Sequence, residues 1–169
     1  MFLIGNITAA VLAVLPFFGI LMYYKNFYEV IFAHATFLFL LILIRELIKD
    51  LENIEGDLIA DYKTIPVVFG EKRAKSIISI LTILTLIPVY FLVEIYNVGY
   101  MDIYFYLSLI ALLFFCMMLW KATTKTEYLK LHFLLKFIIV SGVFCIVLIV
   151  PSVLFHGKKL ILTHSISIY

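Results

Sequence analysis

The chain has 169 residues, of which 65% are hydrophobic, 17% aromatic and only 14% charged, and its formal net charge is +2. Apolar residues make up about half of a typical soluble chain, so the composition excludes an ordinary soluble domain. The small net charge gives no indication of a nucleic-acid partner. A membrane β-barrel is disfavoured, because the apolar runs are long and do not alternate with polar residues.

Five apolar segments follow one another along the chain, each near the roughly twenty residues that cross a bilayer as a helix. The predicted spans are 2–24, 30–48, 74–96, 103–120 and 133–155. Pro16 and Pro88 fall inside spans, where neighbouring helices can satisfy the freed carbonyls. The fifth segment contains Lys136 and Pro151 and is also compatible with a re-entrant segment. The sequence therefore predicts an all-α polytopic membrane bundle of about five spans over residues 1–155, followed by a short tail, 156–169.

The basic residues are distributed unequally between the two sides of such a bundle. With alternating spans, ten of the thirteen Lys and Arg residues lie on the side that holds the segment 49–75, and three lie on the other side. Short loops rich in Lys and Arg stay in the cytoplasm. We therefore predict that this segment is cytoplasmic at a prokaryotic plasma (inner) membrane, with the C-terminus outside.

More than half of the carboxylates are concentrated in one polar segment, predicted as a loop over 49–73. Six of the eleven Asp and Glu residues lie between positions 46 and 61. A carboxylate at the bilayer centre costs roughly 2.5–3.5 kcal/mol, so this segment must lie at or beyond the membrane surface. On a continuous helix, five polar residues would share an arc of roughly 80°: Glu46, Asp50, Asn53, Asp57 and Asp61. Gly56 weakens that helix, so a helix end or bend is expected there.

Carboxylates on one face repel one another, and the sequence leaves two ways to offset the repulsion. Arg45, Lys49 and Lys63 can form local ion pairs on a solvated surface. Alternatively, the face binds a divalent cation such as Mg²⁺, which usually binds through one or two carboxylates plus substrate phosphates. In that case Lys63, Lys72 and Arg73 are placed to contact the same phosphates.

The segment RELIKDLENIEGDLIADYKTIPVVFGEKRA, residues 45–74, resembles the second aspartate-rich motif of the UbiA-type intramembrane prenyltransferases. That motif reads approximately Lys-Asp-x-x-Asp-x-x-Gly-Asp, followed by a basic residue, Thr, an aliphatic residue and often Pro. The matching positions are Lys49, Asp50, Gly56, Asp57, Lys63, Thr64, Ile65 and Pro66. The pair Gly5–Asn6 is also similar to the family's corresponding helix, and the resemblance extends from about residue 2 to about residue 150.

The sequence departs from the family pattern in two ways. Asn53 stands where the family usually has its middle Asp, so it offers a neutral oxygen and one charge less, and Asp61, where glycine is common, is a candidate to compensate. The family also has nine spans and an earlier Asn-Asp motif, which this sequence lacks, and Met1 leads directly into an apolar span. The chain is therefore expected to resemble the second half of the nine-span fold, with a separate N-terminal half as a candidate partner.

The resemblance implies a Mg²⁺-dependent reaction. A prenyl group passes from an allylic prenyl diphosphate to a lipid or aromatic hydrophobic acceptor within the membrane lipid. Within the family, the segment is nearest to enzymes that prenylate glycerol phosphate lipids or quinone precursors, and the geranylgeranylglyceryl-phosphate type is favoured. The expected role is therefore in isoprenoid, lipid or quinone biosynthesis.

The same resemblance assigns roles to individual residues. It makes Asp50 and Asp57 catalytic metal ligands and Asn53 a further ligand. It makes Lys63 and Lys49 contacts of the diphosphate. Asn6 and Asp61 are additional candidates for the site.

Two other classes of protein remain open from the sequence. A non-catalytic membrane protein, or a truncated fragment, could use the acidic segment to bind a cation or a partner. Paired halves with polar loops also occur in transporters. A transporter is expected to place its carboxylates near the middle of the membrane, however, whereas these carboxylates cluster at one end of the predicted bundle.

Overall fold

A computed structural model describes residues 4–24, 29–96 and 99–145, and the regular elements in these ranges are helices. In chain order they are α1 (Ile4–Tyr24), α2 (Glu29–Glu52), α3 (Ile54–Ile59), α4 (Ile65–Phe69), α5 (Glu71–Leu84), α6 (Leu86–Tyr90), a π-helical turn (Phe91–Ile95), α7 (Asp102–Lys121) and α8 (Lys125–Cys145).

Four helical segments are long and apolar enough to cross a membrane: Glu29–Glu52, Glu71–Ile95, Asp102–Lys121 and Lys125–Cys145. The predicted all-α polytopic membrane fold is therefore confirmed. The first predicted span is helical as α1, over 21 residues. The boundary between residues 1–155 and the tail 156–169 lies outside the described residues and stays a prediction.

Helix α2 is the central element, and it packs against α1, α5, α6 and α8. α1 and α2 form an antiparallel pair, because Asn6 contacts Asp50 near one end while the rings of Phe18 and Phe32 lie 5.9 Å apart further along. Buried residues continue to the last turn of α2, where Leu51 is 1% exposed. In lipid such helices are held mainly by packing and interhelical hydrogen bonds. The acidic segment therefore starts from a firmly packed helix end.

The third span is one helical segment with an internal interruption at Thr85. Pro88 has no N–H, so the carbonyl of Leu84 loses its helical partner. The hydroxyl of Thr85, which is fully buried, donates a hydrogen bond to the carbonyl of Thr82 at 2.6 Å. Helix α6 and the π-helical turn then carry the span on to Ile95. The proline is accommodated inside the span, as expected.

The fifth predicted span is helix α8. It begins eight residues earlier than predicted, at Lys125 and not at Phe133. The Glu127 carboxylate accepts hydrogen bonds from the backbone N–H groups of Thr123 at 2.7 Å and Thr124 at 2.9 Å. These N–H groups have no partner inside the helix, so a carboxylate in the first turn satisfies them and stabilises the helix start. The interval 121–132 between the fourth and fifth predicted spans is therefore mostly helix.

Two ends of the bundle can now be defined. The acidic end holds Asn6 of α1, the C-terminal turn of α2, the start of α5 and the connection 122–124, because Asn6 contacts Asp50 at 2.7 Å and Lys75 contacts the carbonyl of Ala122 at 2.5 Å. The opposite end holds Glu29 and Tyr96, whose side chains are hydrogen-bonded at 3.1 Å. Successive long helices therefore alternate in direction.

Candidate metal and diphosphate site

The acidic segment is largely helical, but it is not one helix. Asn53 separates α2 from α3, with φ −106° and ψ 15°. Hydrogen bonds continue across it, from the Asn53 N–H to the Lys49 carbonyl at 3.1 Å and from the Asp57 N–H to the Asn53 carbonyl at 2.9 Å. The expected interruption at Gly56 is wrong, because Gly56 lies inside α3. Asn favours turns and helix starts, since its side chain competes for backbone hydrogen bonds.

The helical run also ends before Asp61, so the predicted arc of five residues loses its last member. Helix α3 ends at Ile59, and Asp61 has a left-handed backbone with φ 55°. The N–H of Tyr62 then returns to the carbonyl of Asp57 at 2.8 Å. A left-handed residue just past a helix is usually Gly, and Asp is among the side chains that tolerate it. Asp61 is exposed, and its left-handed backbone accounts for its place in this turn.

Asp50 lies on the last turn of α2, where that helix faces α1. Its carboxylate is half-buried, and Oδ2 accepts a hydrogen bond from Asn6 Nδ2 at 2.7 Å. The structure thus joins Asn6 of α1 to Asp50, and the backbone hydrogen bonds across Asn53 place Asp57 about two helical turns further along the chain.

Asn53 and Thr64 have polar side-chain atoms that the local backbone does not use. Asn53 occupies the position before α3 where an Asn side chain normally accepts a backbone N–H, yet it makes no such bond. Thr64 stands before α4 in the same way, and its buried Oγ1 has no hydrogen-bond partner within the described residues. Both side chains are therefore available to a ligand.

The basic residues of the segment divide into two groups. Arg45 and Lys49 lie 2.8 Å and 3.6 Å from the two carboxylate oxygens of Glu46, so part of the negative charge is offset locally. Lys63, Lys72 and Arg73 are exposed. The last two follow Gly70, whose φ of 85° requires a residue without a side chain and turns the chain from α4 into α5.

The acidic segment supplies few side-chain oxygens for a cation. No group of three or more His, Cys, Asp and Glu side chains that could hold a metal is found among the described residues. Mg²⁺, however, usually binds through only one or two carboxylates, completed by waters and substrate phosphates. Asp50 and Asp57, with the side-chain oxygen of Asn53 nearby in sequence, match that requirement.

A buried network beside the segment was not predicted. Lys75, only 6% exposed, places its ammonium 2.7 Å from Glu71 Oε1 and 2.5 Å from the carbonyl of Ala122. The Tyr128 hydroxyl donates to the same Glu71 oxygen, and its oxygen lies 3.1 Å from the same carbonyl. This Lys75 network ties the start of α5 to the connection 122–124 and to α8. The sequence signal for this network was a lysine inside a predicted span. Nothing in the sequence indicated that Tyr128 takes part.

A second pair joins the C-terminal turn of α2 to α8. His132 Nδ1 lies 3.6 Å from Glu52 Oε2, beyond hydrogen-bond length. The polar groups of the acidic end therefore reach from α1 across α2 to α8.

These features define an all-α membrane protein that gathers polar and acidic side chains at one end of its bundle. Residues 1–138 match the model of the UbiA prenyltransferase family, and the chain belongs to that family. It is an integral membrane protein. The resemblance found in the acidic segment is therefore confirmed at the level of the family.

Its curated relatives include archaeal proteins named digeranylgeranylglyceryl phosphate synthase. The chain is 39% identical to the one from Methanosphaera stadtmanae over 103 residues, which cover 59% of this chain and 37% of the relative. It is 29% identical to the one from Methanobrevibacter smithii over 151 residues, 80% of this chain and 51% of the relative. The chain thus spans about half or less of these relatives. No solved structure matches it significantly.

Proposed function

We propose that the acidic end is one half of the active site of a Mg²⁺-dependent prenyltransferase, which moves a prenyl group from an allylic prenyl diphosphate to a hydrophobic acceptor. The observation that carries the proposal is the hydrogen bond between Asn6 and Asp50 at one end of a UbiA-family bundle, in the same acidic segment that carries Asp57. Two carboxylates and a neutral amide leave room for phosphate oxygens around a magnesium ion.

The residues take the following roles in this proposal. Asp50, Asp57 and Asn53 hold the cation, which when bound offsets the negative charge of the departing diphosphate. Lys63 is exposed and placed after the motif, where it meets the diphosphate directly. Lys49 is the weaker of the two phosphate contacts, because its ammonium already lies 3.6 Å from Glu46. Asp61 contributes through the backbone turn.

The acceptor is a glycerol phosphate lipid, in preference to a quinone precursor. The relatives named digeranylgeranylglyceryl phosphate synthase support this choice. The test offers purified membranes a labelled prenyl diphosphate with either geranylgeranylglyceryl phosphate or a hydroxybenzoate. Label in the glycerol lipid alone is expected, and label in the aromatic acceptor alone would contradict the choice.

Catalysis needs a second set of carboxylates facing the first, from a separate or preceding N-terminal half. One carboxylate set leaves a bound magnesium ion exposed to water or lipid on its other side, so the diphosphate charge is incompletely offset. We expect no transfer in membranes containing this chain alone and robust transfer when a matching four-span half is co-expressed. Robust transfer by the 169-residue chain by itself would contradict the two-sided arrangement.

The acidic end faces the cytoplasm of a prokaryotic plasma membrane in this proposal, following the excess of basic residues there. Single cysteines at Lys63 and Tyr100 report the two ends. In a background without the native cysteines, the cysteine at position 100 should react with an impermeant maleimide added outside intact cells, and the one at position 63 only after lysis. The reverse pattern would contradict the orientation.

A further inference from the structure

We propose that Asn6 on α1 is a positioning residue that holds the Asp50 carboxylate in the orientation in which it binds the cation. This inference rests on the proposed function, because it concerns the same site. Its basis is a contact between two helices that are 44 positions apart in sequence: Asn6 Nδ2 donates to Asp50 Oδ2 at 2.7 Å.

The hydrogen bond from Asn6 fixes one oxygen of the Asp50 carboxylate and leaves the other oxygen free to bind a cation. A carboxylate accepts through both oxygens, and among the described residues no hydrogen bond uses Asp50 Oδ1. Holding Oδ2 from α1 removes the rotation of the carboxylate about its last side-chain bond. Oδ1 is thereby presented in one direction before any cation arrives, which lowers the ordering cost of binding.

The chemistry of the donor also suits this role. The Asn6 amide donates a hydrogen bond to one oxygen of the carboxylate and adds no charge to the site. A Lys or Arg at the same place would donate such a bond with a positive charge, which repels a divalent cation. A neutral amide stabilises and orients the carboxylate without that repulsion. Partners that orient metal ligands in this way typically affect metal affinity by about 10–100-fold when they are removed.

A plain helix-packing role is the competing explanation, since interhelical amide hydrogen bonds also stabilise membrane bundles. The two explanations differ in what they predict for the cation. Packing alone predicts a lower unfolding midpoint with unchanged metal affinity. Positioning predicts weaker metal affinity with an unfolding midpoint close to that of the wild type.

The experiment measures Mn²⁺ binding by electron paramagnetic resonance in the complete protein, with an unreactive diphosphate analogue present. Asn6→Leu and the smaller Asn6→Ala each remove the donor, so Asn6→Ala decides the question if Asn6→Leu does not fold. Both should weaken Mn²⁺ binding about tenfold or more. The matched control is Thr8→Val, which changes an exposed polar residue of the same helix turn and should change the affinity less than about twofold.

Turnover provides a second readout. Asn6→Ala should raise the Mg²⁺ concentration for half-maximal transfer about tenfold, while kcat at saturating Mg²⁺ stays within about threefold of the wild type. If Asn6→Ala binds Mn²⁺ as tightly as the wild type does and has a lower unfolding midpoint, the inference is overturned and the proposed function is left intact. Failure of the wild type itself to bind Mn²⁺ would overturn both.

Discussion

The two ends of the bundle are built differently, although both carry carboxylates. At the acidic end, side-chain contacts with charged groups link α1 to α2, α2 to α8, and α5 to α8, through Asp50, the Glu52–His132 pair and Lys75. At the opposite end, Tyr96 meets Glu29 in an exposed hydrogen bond of 3.1 Å, and the Tyr104 hydroxyl donates to the carbonyl of Ile138 at 3.0 Å.

This difference shows where the chain tolerates a costly arrangement. Grouped negative charges that are partly removed from water destabilise a fold unless donors or cations offset them. The acidic end places the Asn6 amide against Asp50 and places Arg45 and Lys49 against Glu46. At the opposite end the Tyr96–Glu29 contact is exposed, the Tyr104 hydroxyl bonds a neutral carbonyl, and a Cβ added at Gly142 would lie 2.6 Å from the Tyr104 hydroxyl oxygen. The opposite end thus depends more on close packing, whereas the acidic end gathers the charged contacts that the proposed site uses.

The largest expected effect comes from removing a carboxylate at the acidic end. In the complete enzyme, Asp57→Ala should lower kcat at least about 100-fold, as the loss of a preorganised electrostatic group does, and Asp50→Ala should behave similarly. The matched carboxylate at the opposite end is Glu29, and Glu29→Gln should change kcat less than about threefold. The measurement is transfer of labelled prenyl diphosphate under saturating Mg²⁺. Full Mg²⁺-dependent turnover by Asp57→Ala would remove that residue from the site.

The Lys75 network tests the comparison through stability. Lys75→Met leaves the Glu71 carboxylate and the Ala122 carbonyl without their cation, which should lower the free energy of unfolding by about 1–3 kcal/mol. The loss is smaller than for a fully buried pair, because the Glu71 side chain is 41% exposed.

Two control variants separate the Lys75 network from its surroundings. Lys72→Met, which changes an exposed lysine of the same helix, and Tyr96→Phe at the opposite end should each change the unfolding free energy by about 0.5 kcal/mol or less. Reversible unfolding in mixed micelles measures all three variants. Equal losses for Lys75→Met and Tyr96→Phe would mean that the two ends do not differ in how they are stabilised.

Restoring the family's usual charge at Asn53 should have a modest effect in the favourable direction. Asn53→Asp adds a carboxylate beside the proposed cation, so the Mg²⁺ concentration for half-maximal transfer should fall or stay the same, by no more than about threefold. Asn53→Leu, which removes the oxygen, should raise that concentration. A tenfold loss of activity in Asn53→Asp would indicate that the neutral amide has a role of its own.

The smallest expected effect is at Asp61. Because its backbone is left-handed with φ 55°, Asp61→Gly should be neutral or stabilise the protein by up to about 1 kcal/mol, and Asp61→Val should destabilise it by about 1–2 kcal/mol. Activity at saturating Mg²⁺ should be unchanged in Asp61→Gly. A tenfold loss in that variant would restore Asp61 as a ligand and extend the site beyond α3.

The sequence by itself determined the class of protein and predicted the location of its candidate site. The length of the apolar runs requires membrane helices, because an unpaired backbone cannot stay in lipid. The spacing of Lys49, Asp50, Gly56 and Asp57 then identified the family to which residues 1–138 belong. These features are local, so periodicity and spacing are sufficient to detect them.

Only the tertiary structure decided which distant groups meet at that site. Asn6 and Asp50 are 44 positions apart, and Glu71 and Tyr128 are 57 apart, so their contacts depend on helix packing. The turn at Asp61 was hidden for a different reason: a helical arc assumes a regular backbone, and one left-handed residue ends it. Sequence spacing predicts neighbours on one helix, whereas donors that cross between helices are fixed by how the helices pack.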